Sequence, residues 1–548
     1  MMIQDPATAG ASLGRLVETW QELDEDHYLD GPVTPRVAVI DLDPETGRNV
    51  PGAKFRPPRG SRVLGAYQVD VNDIYSPEFI AVSTWATVLR TMYMYEEPDA
   101  LGRRLRWGFD APQLLVVPRA GMLDNAFYER DSHSLQFFSF KPGDKIVHTS
   151  LSRDIVAHET GHAILDGISP DLYDALDPQA SALHEAIADL TALSLAFRSR
   201  NLRDAVLRQT NGSIADSSPF SSIGEEFGGG VDAVGNLGFL RNLHNDRTVP
   251  AEPANQVEEH GLSEVLTGAL YSFMRRLHEK KRAEVAARTG RSEFSASGQA
   301  LFEAAEHFKR VVFRGLDYLP PGEASFEDYA RAIIAADQAS HPTDDLRPWF
   351  KDMLADRGIV IDARSLDVVT NESHPAVAAL DLNAVVESDW LAYSFANENR
   401  DLLHIPADVT FEVLPRLVVN KAYYPTREPI YVRELLFKVS WTIVEENPAD
   451  IPGPPRRRVK TGTTLAIDWE RRLIRGVLHP GNLDLRRPYR DARLRDLVRR
   501  GLIRFARPDQ PAEERASAIG PEGLIVDDVL RVRDTAKLLH LAREYDDG

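Results

Sequence analysis

No cysteine occurs among the 548 residues, which excludes disulfides and thiolate-held zinc, so any metal must be bound by His, Asp or Glu. Nor is there a run of about eighteen apolar residues, the length a membrane-crossing helix needs. The opening MMIQDPATAGASLGRLVETW has no basic head followed by an apolar stretch, so no secretory signal is expected. Positive charge is in deficit: 64 Lys and Arg stand against 83 Asp and Glu, a net charge of −19. That balance argues against nucleic acid as a partner and suits a soluble enzyme. No segment repeats at a fixed period. A cytoplasmic location is the default expectation, without nucleic-acid or membrane partners, though export by another route would leave no mark in these residues.

What the chain does have is length and patterning. With 43% hydrophobic residues it can bury more than one core, and two or three domains are expected. Residues 1–34 read as a polar tail. Residues 35–153 alternate in the manner of strands at PRVAVIDLD, SRVLGAYQVDV, QLLVVPR and SLQFFSF. Between them SPEFIAVSTWATVLRTMYMY reads as a long helix with a Ser-Pro start. From 154 to 361 helical patterns dominate, broken by the glycine-rich EEFGGGVDAVGNLG. Residues 362–548 change character. VTFEVLPRLVVN and YVRELLFKVSWTIVEE are strand-like, PADIPGPP reads as a linker or loop, TTLAIDWERRLIRGVLH as a hairpin and RPYRDARLRDLVRRG as a helix. The expected class is α+β: a mixed α/β lobe, a mainly helical lobe and a separate α+β C-terminal domain.

Residues 157–167 read AHETGHAILDG. Positions i and i+4 of a helix share a face, so His158 and His162 can address one atom. Glu159 then sits beside a metal without ligating it, where a general base for a zinc-bound water belongs. The bland alternative is an ordinary amphipathic helix, since HExxH arises by chance in a chain of this length with odds of roughly a few per cent. Gly161 also costs the helix about 1 kcal/mol relative to alanine.

Residues 181–197, SALHEAIADLTALSLAF, tip the balance. Glu185 can complete a His2Glu site. Asp189, one turn on, can accept the second ring N–H of a ligating histidine and fix its tautomer. Alone, this pair would be read as a solvated helix face. The alternative third ligand, in HExxHxxGxxH, needs glycine at 165 and histidine at 168, where the chain has Leu165 and Ile168.

HETGHAILDGISPDLY followed by HEAIADL resembles the thermolysin-like gluzincin peptidases, whose pattern is HExxH, a tyrosine, then NExxSD. DNAFY (124–128), IGEEF (223–227), LRNL (240–243) and EEHGLSEVLTGALYSF (258–273) resemble further segments of that family, as do FEDYARAIIAADQ and LRPWFKDMLADRGI. The resemblance covers roughly residues 35–361.

It implies a two-lobed zinc endopeptidase with the metal in the cleft. His158, His162 and Glu185 would hold one zinc, with Asp189 behind them. Glu159 would move the protons, and Tyr173 and His260 would hydrogen-bond the oxyanion. Asn125 and the Ala126 backbone would hold a peptide or protein substrate, and Arg241 one of its carbonyls. Ile155, Ile223 and Leu240 would line a pocket preferring a large apolar residue on the amine side of the cut. The sequence departs from the pattern at His184, where the family has asparagine. It departs again at Asn255, where an acidic partner of His260 is expected and Glu258 or Glu259 must substitute. The family's calcium positions fall on Asp154, Ala196, Ser222 and Glu225, too few carboxylates for a cation wanting six to eight oxygens. Rival readings are a silent binding or regulatory protein on the same scaffold, and an aminopeptidase of the same clan.

Between Arg456 and Arg507 lie sixteen basic and five acidic residues. A nucleic-acid patch is disfavoured by sparse aromatics. A solvated arginine-rich helix face is the simplest expectation. Docking on the acidic remainder, and hence a gate over the cleft, is the other.

Overall fold

The computed structural model describes residues 1–4, 6, 17–18, 27–43, 46–59, 65–144, 146–215, 220–223, 241–256, 258–341, 345–368, 370–424, 428–503, 523–526 and 529–532. It is α+β, as expected.

The first part of the chain holds a four-stranded sheet built from β1 (Val37–Val39), β2 (Leu114–Val117), β3 (Ala126–Glu129) and β4 (Ser134–Phe137), in the order β1-β2-β4-β3. β2 runs parallel to β1 and β4, while β3 pairs antiparallel with β4 and is an edge among the described residues. Helix α1 (Pro77–Glu96) starts as its sequence predicts: Ser76 caps it and Pro77 opens it. The strand expected at 61–71 reduces to Ala66–Tyr67 among the described residues. The chain start is not a free tail, because Met2, Ile3 and Gln4 are at most 1% exposed. Glu18 accepts hydrogen bonds there from Arg90, Arg153 and Ser199.

The helices that follow form a stack. Helix α2 (Arg153–Ile168) packs on α3 (Pro178–Arg198), which also meets α4 (Glu259–Thr289) and α5 (Glu293–Tyr318); α6 (Phe326–Ser340) packs on α5. Every residue of α3 from Pro178 to Phe197 is buried, so it is the central strut.

The described part of 362–548 has a core of its own and also shares the core of the helical stack. Strands β5 (Leu417–Tyr423), β6 (Ile430–Glu446), β7 (Arg456–Asp468) and β8 (Leu473–Leu478) are the long members of one sheet and pair antiparallel with one another. Alternation sends successive residues to opposite faces. Leu435, Phe437, Val439, Leu465 and Ile467 pack on Val377, Leu382 and Phe395. Leu436 and Ala466, with Val419 and Leu478, join the same core as Val156, Ile187 and Leu316 in the helical stack. Polar pairs cross this junction: Lys421 Nζ lies 3.0 Å from Asp317, and Lys438 donates to the Leu319 carbonyl at 3.0 Å. PADIPGPP is the connection of the β6–β7 hairpin, not an interdomain linker. The expected hairpin at 463–479 is present as β7–β8. Helix α7 (Leu483–Arg499) follows.

Candidate metal centre

Helix α2 and the strut α3 approach closely because Gly161 has no side chain. A Cβ there would lie 2.9 Å from Thr191 Oγ1 and 3.0 Å from the Ala188 backbone. The glycine that weakens α2 locally thus brings its histidines onto α3.

At that crossing three donor groups converge. Nε2 of His158 and Nε2 of His162 are 3.0 Å apart. The Glu185 carboxylate lies 3.5 Å from the first and 3.4 Å from the second. A tetrahedral zinc with bonds near 2.0 Å separates its ligand atoms by about 3.3 Å. The triangle therefore has the size the ion requires. All three side chains are buried.

The outer ring nitrogens are also fixed. Asp189 Oδ1 is 2.9 Å from His158 Nδ1, which keeps the proton on Nδ1 and the lone pair on Nε2. His162 Nδ1 is 2.6 Å from His184 Nδ1, so one ring donates to the other and His184 fixes the outer side of the His162 ring. Glu185 and Asp189, at 3% and 0% exposure, do not form a solvated helix face.

No protein-family model matches this sequence, and no curated protein matches it.

Glu159 is buried, and a carboxylate oxygen of it lies within 4.8 Å of the donor nitrogens of His158 and His162. It accepts from the Tyr128 backbone N–H at 3.1 Å, which ties it to the edge strand β3. His260, in the first turn of α4, directs Nε2 toward Glu185 at 3.6 Å. Its Nδ1 faces two acids, Glu258 at 3.2 Å and Glu259 at 3.6 Å, so both substitutes named for the missing partner at 255 are present. Partial burial would raise the Glu258 pKa. The hydrogen bond and charge of His260, with the N–H groups of Gly261 and His260, outweigh it and hold the group at about 2.

Tyr173 is 2% exposed, and its hydroxyl lies 3.5 Å from the Tyr128 carbonyl. Its ring stands edge-on to His184 and under the Arg130 guanidinium. Asn125 accepts from the Ala126 N–H at 2.8 Å, just where β3 begins. Arg241 lies in a two-residue strand opposite Ile223, but the side chains of both, with Leu240, Glu225 and most of IGEEF, lie outside the described residues. Ile155 is buried on α2.

Sequence reasoning missed two groups of supporting residues. Arg130 bridges Asp166 and Asp174, and Tyr128 Oη donates to Asp166 at 2.7 Å. Burial pushes the Asp166 pKa up against the pull of Arg130. The second group is the arginine face of α7. Arg486 binds Asp177 at 2.7 and 2.6 Å, and Asp177 caps α3. Arg493 donates to Glu259 at 2.9 Å. Arg490 and Arg493 are fully buried, so this is not a solvated face. The spacing 486, 490, 493 marks one side of a helix and was the available signal.

A second cluster, His307, Asp337 and His341, differs in kind. Its imidazoles stack face to face at 4.8 Å, Asp337 is bound to Arg347 at 2.7 Å, and burial pulls His341 down to about 4.

Proposed function

We propose that this protein is a zinc endopeptidase of the thermolysin-like type. The observation that carries the reading is the buried triangle of His158, His162 and Glu185, sized for a tetrahedral ion and oriented from behind by Asp189 and His184. Bound there, zinc would polarise the scissile carbonyl and lower the pKa of a water toward about 7.

The chain's own groups divide the remaining work. Glu159 is held by Tyr128 N–H with its carboxylate beside the histidines, where it can accept a proton and return it to the leaving amine. His260, braced by Glu258 and Glu259, offers Nε2 on the Glu185 side as a donor to developing negative charge. Such donors are typically worth about 3–4 kcal/mol. Tyr173 is the second candidate donor.

An extended peptide would add to β3, an edge whose Tyr128 N–H faces Glu159 rather than a neighbouring strand. Residues two apart point the same way, so Ala126 presents its backbone on that side as well. Asn125 would exchange its bond to Ala126 for one to the substrate. Buried Ile155 fits the expected taste for a large apolar residue on the amine side of the cut.

The deciding experiment pairs metal analysis with hydrolysis. The full chain should carry about one zinc and cleave casein, and Glu159→Gln should keep the zinc and lose the cleavage. Turnover undiminished in the Gln variant, or a zinc-free wild type that cleaves equally well, would refute the assignment.

A further inference from the structure

Helix α7 comes from the part of the chain that the family resemblance does not cover, yet it closes on the two helices that carry Glu185 and His260. Its inward face is a row of arginines. Arg486 holds Asp177, the residue whose carboxylate accepts the Gln179 N–H at the start of α3. Arg490 lies 3.5 Å from Glu323, and Glu323 accepts the Leu176 N–H at 2.8 Å, in the turn leading into α3. Arg493 reaches Glu259 in the first turn of α4. The opposite side of α7 behaves differently: Arg495 pairs with Asp450 while both remain about half exposed.

We propose that Arg493 is a positioning residue of the active site, holding Glu259 so that its carboxylate steers the His260 ring toward the metal ligands. The line of contacts is short. Arg493 Nη2 lies 2.9 Å from Glu259 Oε2, Glu259 Oε1 lies 3.6 Å from His260 Nδ1, and His260 Nε2 lies 3.6 Å from Glu185.

Burial supports the assignment. Arg493 is 0% exposed and Glu259 5%. A buried ion pair is expensive to desolvate, and an apolar pair in its place is often no less stable. Stability alone therefore gives weak reason for a charged pair here. Orientation gives a better one: a carboxylate one residue before His260 could turn to solvent or swing away, and a fixed cation prevents it. Glu258, the other acid at Nδ1, is 63% exposed at its side chain and is engaged by the backbone N–H groups of His260 and Gly261, which leaves Glu259 as the buried acid of the pair. On this account α7 is the back wall of the site.

The proposal rests on the peptidase reading, and the test separates the two. In the full-length protein, kcat and KM on a fluorogenic peptide are measured together with zinc content for wild type, Glu159→Gln, Arg493→Met, Arg493→Lys, Glu259→Gln and Arg495→Ala. Arg493→Met and Glu259→Gln should keep about one zinc, leave KM unchanged and lower kcat about 10–100-fold, as a displaced catalytic group does. Arg493→Lys should recover part of the loss, and Arg495→Ala should match wild type. Should Arg493→Met fail to fold, Glu259→Gln, nearly the same size and still an acceptor for Arg493, carries the test. Wild-type kcat in folded, zinc-loaded Glu259→Gln overturns the proposal. Equal inactivity of wild type and Glu159→Gln would end the peptidase reading instead. The 15N shifts of the His260 ring then decide the positional claim: they should move in Glu259→Gln and not in Arg495→Ala, and no movement in Glu259→Gln overturns it.

Discussion

Asp189→Asn is the sharpest perturbation of the proposed metal centre. The side chain is 0% exposed, and its Oδ1 sits 2.9 Å from His158 Nδ1. Asparagine has the same shape and can still accept the ring N–H, so the helix packing should survive. The negative charge is lost, and with it the extra basicity it lends to His158 Nε2. Losing such a partner typically lowers metal affinity 10–100-fold, which is about 1.4–2.7 kcal/mol. Competition between the protein and a zinc-binding indicator at fixed pH would measure the change directly. Thermal unfolding offers an independent check, because zinc stabilises the folded state by RT ln(1 + [Zn]/Kd). At saturating zinc the mutant should lose stability by the same 1.4–2.7 kcal/mol relative to wild type, after correction for the difference between the metal-free proteins. A zinc Kd unchanged within error would refute the claim that Asp189 orients a ligand. His162→Ala, which removes a donor, should abolish binding in the same assay and sets the floor of the scale.

His184→Asn should leave zinc affinity nearly unchanged, since an amide oxygen can accept the His162 N–H, whereas His184→Leu should weaken it; equal affinities in all three proteins would show that His184 does not orient His162. A chain ending at Ile361 should be insoluble or unfolded, because it strips Val419, Leu436, Ala466 and Leu478 from the core they share with Leu316; a soluble, cooperatively folded product by circular dichroism and thermal melt would contradict this. Millimolar calcium should not raise the melting midpoint, as Asp154 is bound to Gln4 at 2.6 Å and Ala196 stands at the next expected ligand position; a rise of many degrees would reveal ligands elsewhere. Burial alone would raise the Asp317 pKa, but Arg103 and Lys421 pull it to about 2. A folded pKa below the unfolded value contributes stability that is complete above pH ~4 and lost as pH falls toward ~2. Asp317→Asn should flatten that part of the stability–pH curve, and an unaltered acid limb would count against it.

The local chemistry of the proposed centre was legible in the residues. HETGH fixes two imidazoles one turn apart on any helix that forms there, and HEAIAD puts two carboxylates one turn apart on the next. Local periodicity and capping are short-range properties, which is why Ser76-Pro77 marked the start of α1 correctly. The third dimension decided whether the two helices meet at ligand distance. That depends on Gly161 against Thr191 and Ala188, a contact between residues some thirty apart that no window of sequence displays.

The same limit explains the C-terminal part. Alternation in β6 and β7 announced two-faced strands, but which body covers each face is a long-range fact. Leu436 and Ala466 turn toward the helical stack while Leu435 and Ile467 turn away. The arginine spacing of α7 could be read as a stripe, and its charge opposed an acidic remainder. Only packing made it a buried clamp on Asp177, Glu323 and Glu259, because desolvation and pairing depend on what lies opposite each guanidinium, not on its neighbours in the chain.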